Sequence, residues 1–165
     1  MKLLTLIRHA KSSWDFPELP DFDRPLNKRG QRNAPDMGKR LADLGIRPDL
    51  IVTSPARRAI DTARIIAEAV EYPSETLRQE PRIYEATPGE LIRVITGLPD
   101  DCGHAFLVGH NPGLTLLANT LTGSSIDNVP TCGVVRCALD PDTWSKTEPG
   151  CGRLIDFDYP KRRPA

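Results

Sequence analysis

Short apolar runs alternate along this chain with longer segments in which apolar residues recur at the spacing of a helix face. The runs predict six β-strands, at 3–8, 50–53, 76–79, 105–108, 134–139 and 153–157. A helix is predicted in each of the first four intervals, and none between the last two strands. Regular strand–helix alternation is typical of a parallel sheet with helices on both faces. We therefore expect a three-layer α/β/α fold with a mainly parallel central sheet and an antiparallel edge.

The predicted helices begin at residues that favour a first turn. The first is expected to start at Lys28, to bend at Pro35 and to stop at Gly45. A capping box from Thr87 to Glu90 predicts the third helix, which reaches about Gly97. The predicted helix starts are Asn27, Ser54, Thr87 and Asn111, and a proline directly follows the last three.

Length and charge exclude several classes of protein. The chain has 165 residues, which suits a single domain over residues 1–165. Its 22 basic and 22 acidic side chains argue against a general nucleic-acid binder. No apolar run approaches the roughly 18 residues of a membrane span, and no signal peptide is recognised, so a cytoplasmic protein is expected. The four cysteines form no Cys-x-x-Cys pair and are expected to be free thiols. We expect no bound metal, because no cluster of ligand residues completes a metal site, and no cofactor.

Polar side chains follow the predicted strands at their carboxyl ends, which is where parallel α/β sheets bind ligands. We expect these groups to surround one crevice. They are Arg8 and His9 after the first strand, the segment 54–58 after the second, Glu85 after the third and His110 after the fourth.

This set of side chains fits the transfer of a phosphoryl group. Guanidinium groups bind a phosphate dianion through their planar fork of donors. A neutral imidazole can attack phosphorus and carry the phosphoryl group, and a second imidazole can stabilise charge on its oxygens. A carboxylic acid can protonate the leaving oxygen. Because phosphoryl transfer depends mainly on positioning and electrostatics, the set requires no metal ion.

Three segments resemble the histidine phosphatase superfamily, whose fold is phosphoglycerate mutase-like. The family pattern is Arg-His-Gly at the first strand, Ser-Pro-x-x-Arg-x-x-x-Thr after the second and a late Gly-His. The short length and the Asp-Arg-Pro-Leu-x-x-Arg-Gly segment are similar to its SixA-type phosphohistidine phosphatase branch. The matching segments are Leu6–Ala10, Thr53–Ala63, Val108–Pro112 and, for the branch, Asp23–Gly30.

The resemblance spans roughly residues 3–140 and implies a role for each residue at the strand ends. His9 would be the nucleophile that becomes phosphorylated, although Ala10 replaces the commoner glycine beside it. Glu85 would be the general acid. The phosphate pocket would consist of Arg8, Arg57 and His110.

Neighbouring residues complete the expected site. Arg57 is taken as the arginine of the second motif, so Arg58 is expected to face solvent. Lys11 and Ser12 follow the nucleophile and are candidate contacts for the substrate. The alternative proton donors are Asp21 and Asp23, for which a solvated turn or an ion pair with an arginine is the other interpretation.

The substrate expected from the resemblance is phosphohistidine on a signalling protein. The chain has no space for a lid beyond the loop 10–26, and an open site suits a bulky substrate. An imidazole leaves readily, so Glu85 would matter less than in a phosphomonoesterase. Two alternatives stay open: a small-molecule phosphomonoesterase of the same superfamily, and a non-catalytic module that docks phosphate.

Overall fold

The computed structural model describes residues 1–162, which form one six-stranded sheet with its covering helices. The strand order is β3-β2-β4-β1-β5-β6. The first four strands in that order pair in parallel, whereas β5 and β6 pair antiparallel. This topology confirms the mainly parallel sheet with an antiparallel edge. The strands are β1 (Lys2–Arg8), β2 (Leu50–Thr53), β3 (Arg78–Gln79), β4 (His104–Gly109), β5 (Val134–Leu139) and β6 (Gly152–Asp158).

Helices cover both faces of this sheet, as expected for three layers. Ile7 of β1 lies in the core beneath α1 and α2, whereas its neighbour Leu6 lies in the core beneath α3 and α4. Successive side chains of a strand point to opposite faces, so β1 contributes to both cores. No helix within residues 1–162 has the length and apolarity to span a membrane. The helices are α1 (Lys28–Asp43), α2 (Arg57–Ala69), α3 (Pro88–Thr96) and α4 (Gly113–Thr122).

The ends of α1 and the start of α3 follow their sequence signals. The side chain of Asn27 accepts a hydrogen bond of 2.8 Å from the N–H of the third residue of α1. Gly45, with φ 74°, lies just beyond α1, and Pro35 lies inside α1 without ending it. Thr87 and Glu90 form the predicted capping box at α3.

The start of α2 differs from the prediction. Ser54 does not cap this helix, because α2 begins at Arg57 and Ala56 occupies the N-cap position without a side-chain hydrogen bond. The Oγ of Ser54 instead accepts from the N–H of Ala56 at 3.2 Å and lies 2.7 Å from Nε2 of His110. The residue predicted to be a cap therefore belongs to the site described below.

Two other boundaries also shift. The third strand is only Arg78–Gln79, because Ser74–Thr76 forms a short 3-10 helix. Helix α4 begins at Gly113 rather than at Asn111. Asn111 still fixes this helix start, since its Oδ1 accepts from the N–H of Thr115 at 3.1 Å.

Three neighbouring parallel strands deliver the residues that follow them to the same edge of the sheet. Arg8 of β1 lies opposite Gly109 of β4, and β2 pairs with β4 on its other side. The carboxyl ends of these strands therefore meet. The residues that follow the three strands are His9, Ser54 and His110.

Candidate active site

His9 is held by hydrogen bonds from its backbone and its ring. Its N–H donates to the carbonyl of Gly109 at 3.1 Å, and its own carbonyl accepts from the N–H of Cys132 at 3.0 Å. Ring atom Nδ1 lies 2.7 Å from the carbonyl oxygen of Ala10. Because a carbonyl oxygen only accepts, Nδ1 carries the proton and Nε2 keeps its lone pair.

The surroundings of His9 keep this ring neutral. Burial lowers the pKa of His9 to about 3, although the hydrogen bond to Ala10 opposes this effect. The charges of His110, Arg58 and Arg8 lower the pKa further. The lone pair on Nε2 is therefore available near pH 7, as a nucleophile requires.

His110 is the second imidazole of the site. Its ring centroid lies 5.1 Å from that of His9, with the two planes tilted by 53°. Burial first, and then the charges of Arg58 and Arg8, lower the pKa of His110 to about 4. Because Ser54 accepts the N–H of Ala56, its hydroxyl proton can be donated to Nε2 of His110. In that tautomer the proton of His110 is on Nδ1.

Two arginines flank the histidines. Arg8 lies at the end of β1 and donates from Nη1 to the carbonyl of Val129 at 3.0 Å. Arg58, on the first turn of α2, is only 6% exposed and directs both of its Nη atoms to Asp21. Burial and the charge of Arg58 lower the pKa of Arg8, so the two guanidinium groups repel each other across the site.

Polar atoms without partners lie around His9. Among the described residues, three buried side-chain nitrogens have no hydrogen-bond partner: Nε of Arg8, Nε of Arg58 and Nδ1 of His110. A buried donor without a partner costs about 1–3 kcal/mol. Three such atoms in one site, two of them on guanidinium groups, are donors that an anion such as phosphate would satisfy.

The sequence matches a known family over the first part of the chain, which contains Arg8, His9 and Arg58. The family model "Histidine phosphatase superfamily (branch 1)" matches residues 4–94. The chain belongs to this superfamily. A Mycobacterium tuberculosis protein without an assigned function is 33% identical over 166 residues, covering 94% of this chain and 100% of that protein.

Solved structures of this superfamily share the fold. The protein assigned as phosphohistidine phosphatase SixA of Agrobacterium tumefaciens superposes with a TM-score of 0.80 at 27% identity, over 96% of this chain and 98% of that one. A protein histidine phosphatase SixA complexed with tungstate gives a TM-score of 0.82 at 19% identity, over 96% and 97%. Family and fold confirm the prediction of a phosphatase enzyme.

The histidine phosphatase motif places Arg58, not Arg57, beside the histidines. The prediction that Arg58 faces solvent is wrong, because this side chain is buried. Arg57 is the exposed residue of the pair, with its side chain 57% accessible and its Nε 3.7 Å from Asp61. Counted from Ser54, the arginine of Ser-Pro-x-x-Arg-x-x-x-Thr falls at position 58 and its threonine at position 62.

The candidate acids have different environments. Glu85 is exposed, in the left-handed region with φ 56°, and its carboxylate forms no hydrogen bond with the described residues. Partial burial raises the pKa of Asp21, but hydrogen bonds from Tyr84 and Arg58 outweigh it and bring the pKa to about 2. Asp21 is therefore a carboxylate near pH 7 and not a proton donor. Asp23 is exposed in the same turn, and its side chain forms no hydrogen bond or ion pair within residues 1–162, which is the solvated turn of the other interpretation and not a positioned proton donor.

The two residues predicted to contact the substrate, Lys11 and Ser12, have different environments. Lys11 is exposed. Ser12 is buried, and its Oγ accepts from Nη1 of Arg24 at 2.8 Å. Ser12 therefore holds the loop together, while a substrate contact by Lys11 stays a prediction.

Thr62 is a site residue for which sequence reasoning gave no role. Its Oγ1 accepts from the N–H of Ala10 at 2.9 Å and donates to the carbonyl of Arg58 at 2.7 Å. One hydroxyl thus joins the backbone beside His9 to the turn that carries Arg58. The place of Thr62 as the threonine of the motif Ser-Pro-x-x-Arg-x-x-x-Thr was the sequence signal that could have identified it.

The remaining histidine lies at the opposite end of β4 from the site, and the cysteine side chains are packed in the core. His104 places its Nε2 2.8 Å from Oγ1 of Thr5, at the start of β4. The four cysteines are free and buried. Residues 1–162 contain no group of three or more His, Cys, Asp or Glu side chains placed to hold a metal ion.

Proposed function

We propose that this phosphatase acts through a covalent phosphohistidine at Nε2 of His9 and that its substrate is phosphohistidine on a protein. The observation that carries the proposal is the hydrogen bond from Nδ1 of His9 to the carbonyl of Ala10. It presents Nε2 with a free lone pair next to the unpartnered donors of the site.

The first step transfers the phosphoryl group to His9. The lone pair on Nε2 forms the nitrogen–phosphorus bond while the bond from phosphorus to the leaving group breaks. The carbonyl of Ala10 stabilises the positive charge that develops on the ring. The unpartnered nitrogens of Arg8, Arg58 and His110 donate to the phosphoryl oxygens.

The second step returns the enzyme to its initial state. A water molecule attacks phosphorus, the nitrogen–phosphorus bond breaks, and its electron pair returns to Nε2 of His9. The proton of the water passes to solvent and inorganic phosphate leaves.

The environment of the acids supports phosphohistidine as the substrate. Asp21 is held as a carboxylate, so the proton that an alkoxide leaving group needs would have to come from an exposed acid such as Glu85. The carboxyl group of Glu85 is not fixed by a hydrogen bond with the described residues, which makes it a poorly positioned donor. The imidazole of phosphohistidine can take a proton from solvent at its other nitrogen before it leaves, because imidazole titrates near neutral pH. The similarity to the Agrobacterium tumefaciens protein assigned as phosphohistidine phosphatase SixA supports the same substrate class.

The covalent step is tested by a short incubation with an aryl phosphate, followed by acid and alkaline quenches. Protein-bound phosphate that is lost in acid and survives alkali is expected for wild type and absent for His9→Asn. His104→Asn, which changes a histidine outside the site, is the matched control and is expected to be labelled. Equal hydrolysis by wild type and His9→Asn would contradict the mechanism.

The substrate class is tested with a panel of phosphohistidine peptides and small phosphate esters. We expect kcat/KM to be highest for the peptides. A higher value for one of the small esters would identify a small-molecule phosphomonoesterase instead. Phosphate binding without turnover of any substrate would identify a docking module.

A further inference from the structure

Asp21 contacts two other segments around the site and one neighbour in its own loop. It lies in the short 3-10 turn Asp21–Asp23, within the loop between β1 and α1. Its carbonyl accepts from Nη1 of Arg58 at 2.7 Å, and its Oδ2 accepts from Nη2 of Arg58 at 3.0 Å. The same Oδ2 accepts from the hydroxyl of Tyr84 at 2.8 Å. Its other carboxylate oxygen accepts from Nε of Arg24 at 3.1 Å.

Both terminal nitrogens of Arg58 are thus engaged by one residue. Arg58 is buried, and Nε is its nitrogen without a partner. A planar guanidinium bound at two of its corners has a fixed orientation. Asp21 therefore determines which edge of Arg58 remains for a phosphoryl oxygen.

Tyr84 connects Asp21 to the second histidine. The ring of Tyr84 meets that of His110 nearly edge to face, with centroids 5.5 Å apart and planes at 82°. Its hydroxyl donates to Asp21. The carboxylate of Asp21 therefore holds the aromatic ring that packs on His110 as well as the arginine beside it.

Arg24 holds Asp21 from the loop side. Its guanidinium is buried, donates to Oγ of Ser12 at 2.8 Å and lies 3.6 Å from the ring centroid of Trp14. Its side chain also pairs with Oδ1 of Asp21 at 3.1 Å. The turn that carries Asp21 is thereby tied to a residue three positions after the nucleophile.

We propose that Asp21 is a positioning residue for the phosphoryl transfer, which orients the Nε edge of Arg58 toward the substrate and holds Tyr84 against His110. This inference rests on the proposed function of the same site. Asp21 acts through Arg58 and Tyr84 and takes no part in proton transfer. The low pKa of Asp21 agrees with this role, since a permanent charge is what keeps Arg58 and Tyr84 in place.

The first test compares Asp21→Asn with Asp23→Asn, a neighbouring exposed carboxylate that forms no side-chain hydrogen bond with residues 1–162. Asp21→Asn is expected to lower kcat by about tenfold or more and to change KM by less than about threefold, because misplacement of a positioned group acts mainly on the transition state. Asp23→Asn is expected to retain wild-type kcat and KM. Steady-state kinetics with an aryl phosphate and with a phosphohistidine peptide give both constants.

The second test uses Tyr84→Phe, which keeps the ring against His110 and removes only its hydroxyl. It is expected to lower kcat by a few-fold, and its effect combined with Asp21→Asn is expected to be less than multiplicative, because the two residues act through one hydrogen bond. Thermal unfolding confirms that each variant is folded. If Asp21→Asn does not fold, a kcat loss in Tyr84→Phe at unchanged KM decides the question.

Three results would overturn the inference: an unchanged kcat in Asp21→Asn, an effect on KM alone, or an equal loss in Asp23→Asn. Those results, obtained with an active wild type that labels His9, would leave the proposed function intact. A wild type that hydrolyses no phosphorylated substrate would overturn the proposed function and this inference with it.

Discussion

Two adjacent arginines at the start of α2 have opposite environments. Arg58 is buried and pairs with Asp21, whereas Arg57 is exposed and its nearest carboxylate belongs to Asp61 on the same helix. Consecutive helical residues point in directions about 100° apart, so only one of the two can reach the carboxyl ends of the strands. The pair offers a matched test of which guanidinium binds phosphate.

Arg58→Ala is expected to lower kcat/KM by about 100-fold or more, as removal of a preorganised donor to a developing anion does in other enzymes. Arg57→Ala is expected to stay within about twofold of wild type, because exposed ion pairs contribute little. Steady-state kinetics with an aryl phosphate compares the two variants. A larger loss in Arg57→Ala would show that Arg57 binds the phosphate, as the sequence analysis expected.

The contribution of Glu85 to catalysis is expected to depend on the leaving group of the substrate. Glu85→Gln removes the exposed carboxyl group of this candidate acid and is expected to lower kcat/KM more for an alkyl phosphate than for a phosphohistidine peptide. The reason is that an alkoxide requires a proton from the enzyme, whereas an imidazole can be protonated by solvent. Parallel assays of both substrates on one variant make the comparison internal, and equal losses would refute the leaving-group argument.

At the level of elements, the close approach of α1 to the loop after His9 shapes the site. A Cβ at Gly30 would collide with the carbonyl oxygen of Lys11, so the absence of a side chain permits this contact. The same carbonyl accepts from the N–H of Asn27 at 3.0 Å. Gly30 is the last residue of the segment that resembles the SixA-type branch, and its role is to let the first turn of α1 lie against the chain that leaves His9.

Gly30→Ala is expected to lower the free energy of unfolding by about 1–3 kcal/mol, the usual cost of overpacking, and to lower kcat/KM by displacing the residues after His9. Gly89→Ala is the matched control. Gly89 also lies in the first turn of a helix, and the nearest atom to its Cβ position is 4.0 Å away. Chemical denaturation and kinetics are measured on both variants, and equal effects would show that the contact with Lys11 is unimportant.

Elements with strong local signals were predictable, and those set by tertiary contacts were not. The structure confirms the helix starts predicted at Asn27 and at the capping box of Thr87. Both could be predicted because a cap is a contact between residues within one turn of the chain. The third strand is two exposed residues defined only by pairing with β2, so its sequence carries no hydrophobic pattern. Serine is a residue type that often caps helices, so the sequence predicted a cap at Ser54. Its actual partner, His110, is distant in sequence and could not be recognised from the local pattern. Asp21 gave a weak signal for the same reason, since its contacts reach both Arg58 and Tyr84.

For the whole molecule, zero net charge is compatible with binding a phosphate dianion because charge is arranged locally. The site places Arg8 and Arg58 beside two histidines that burial keeps neutral. Asp21 balances part of the charge of Arg58 from the far side of the guanidinium. A phosphate dianion would therefore be bound by a few oriented donors, and the rest of the surface needs no excess of Lys or Arg.

The buried neutral histidines also predict how the stability of the whole fold depends on pH. The folded pKa of His9 is about 3, below the value near 6.5 expected for an unfolded chain. Between these values the unfolded state binds more protons, so stability is complete above about pH 6.5 and falls as the pH decreases toward the folded pKa.

His9→Gln removes this contribution. The free-energy advantage of wild type over His9→Gln is expected to shrink by about 2 kcal/mol from pH 7 to pH 5. Urea denaturation at both pH values measures it, with Arg57→Ala as a control that keeps all three histidines and the wild-type dependence. A difference between wild type and His9→Gln that does not change with pH would show that the ring of His9 titrates normally in the folded protein.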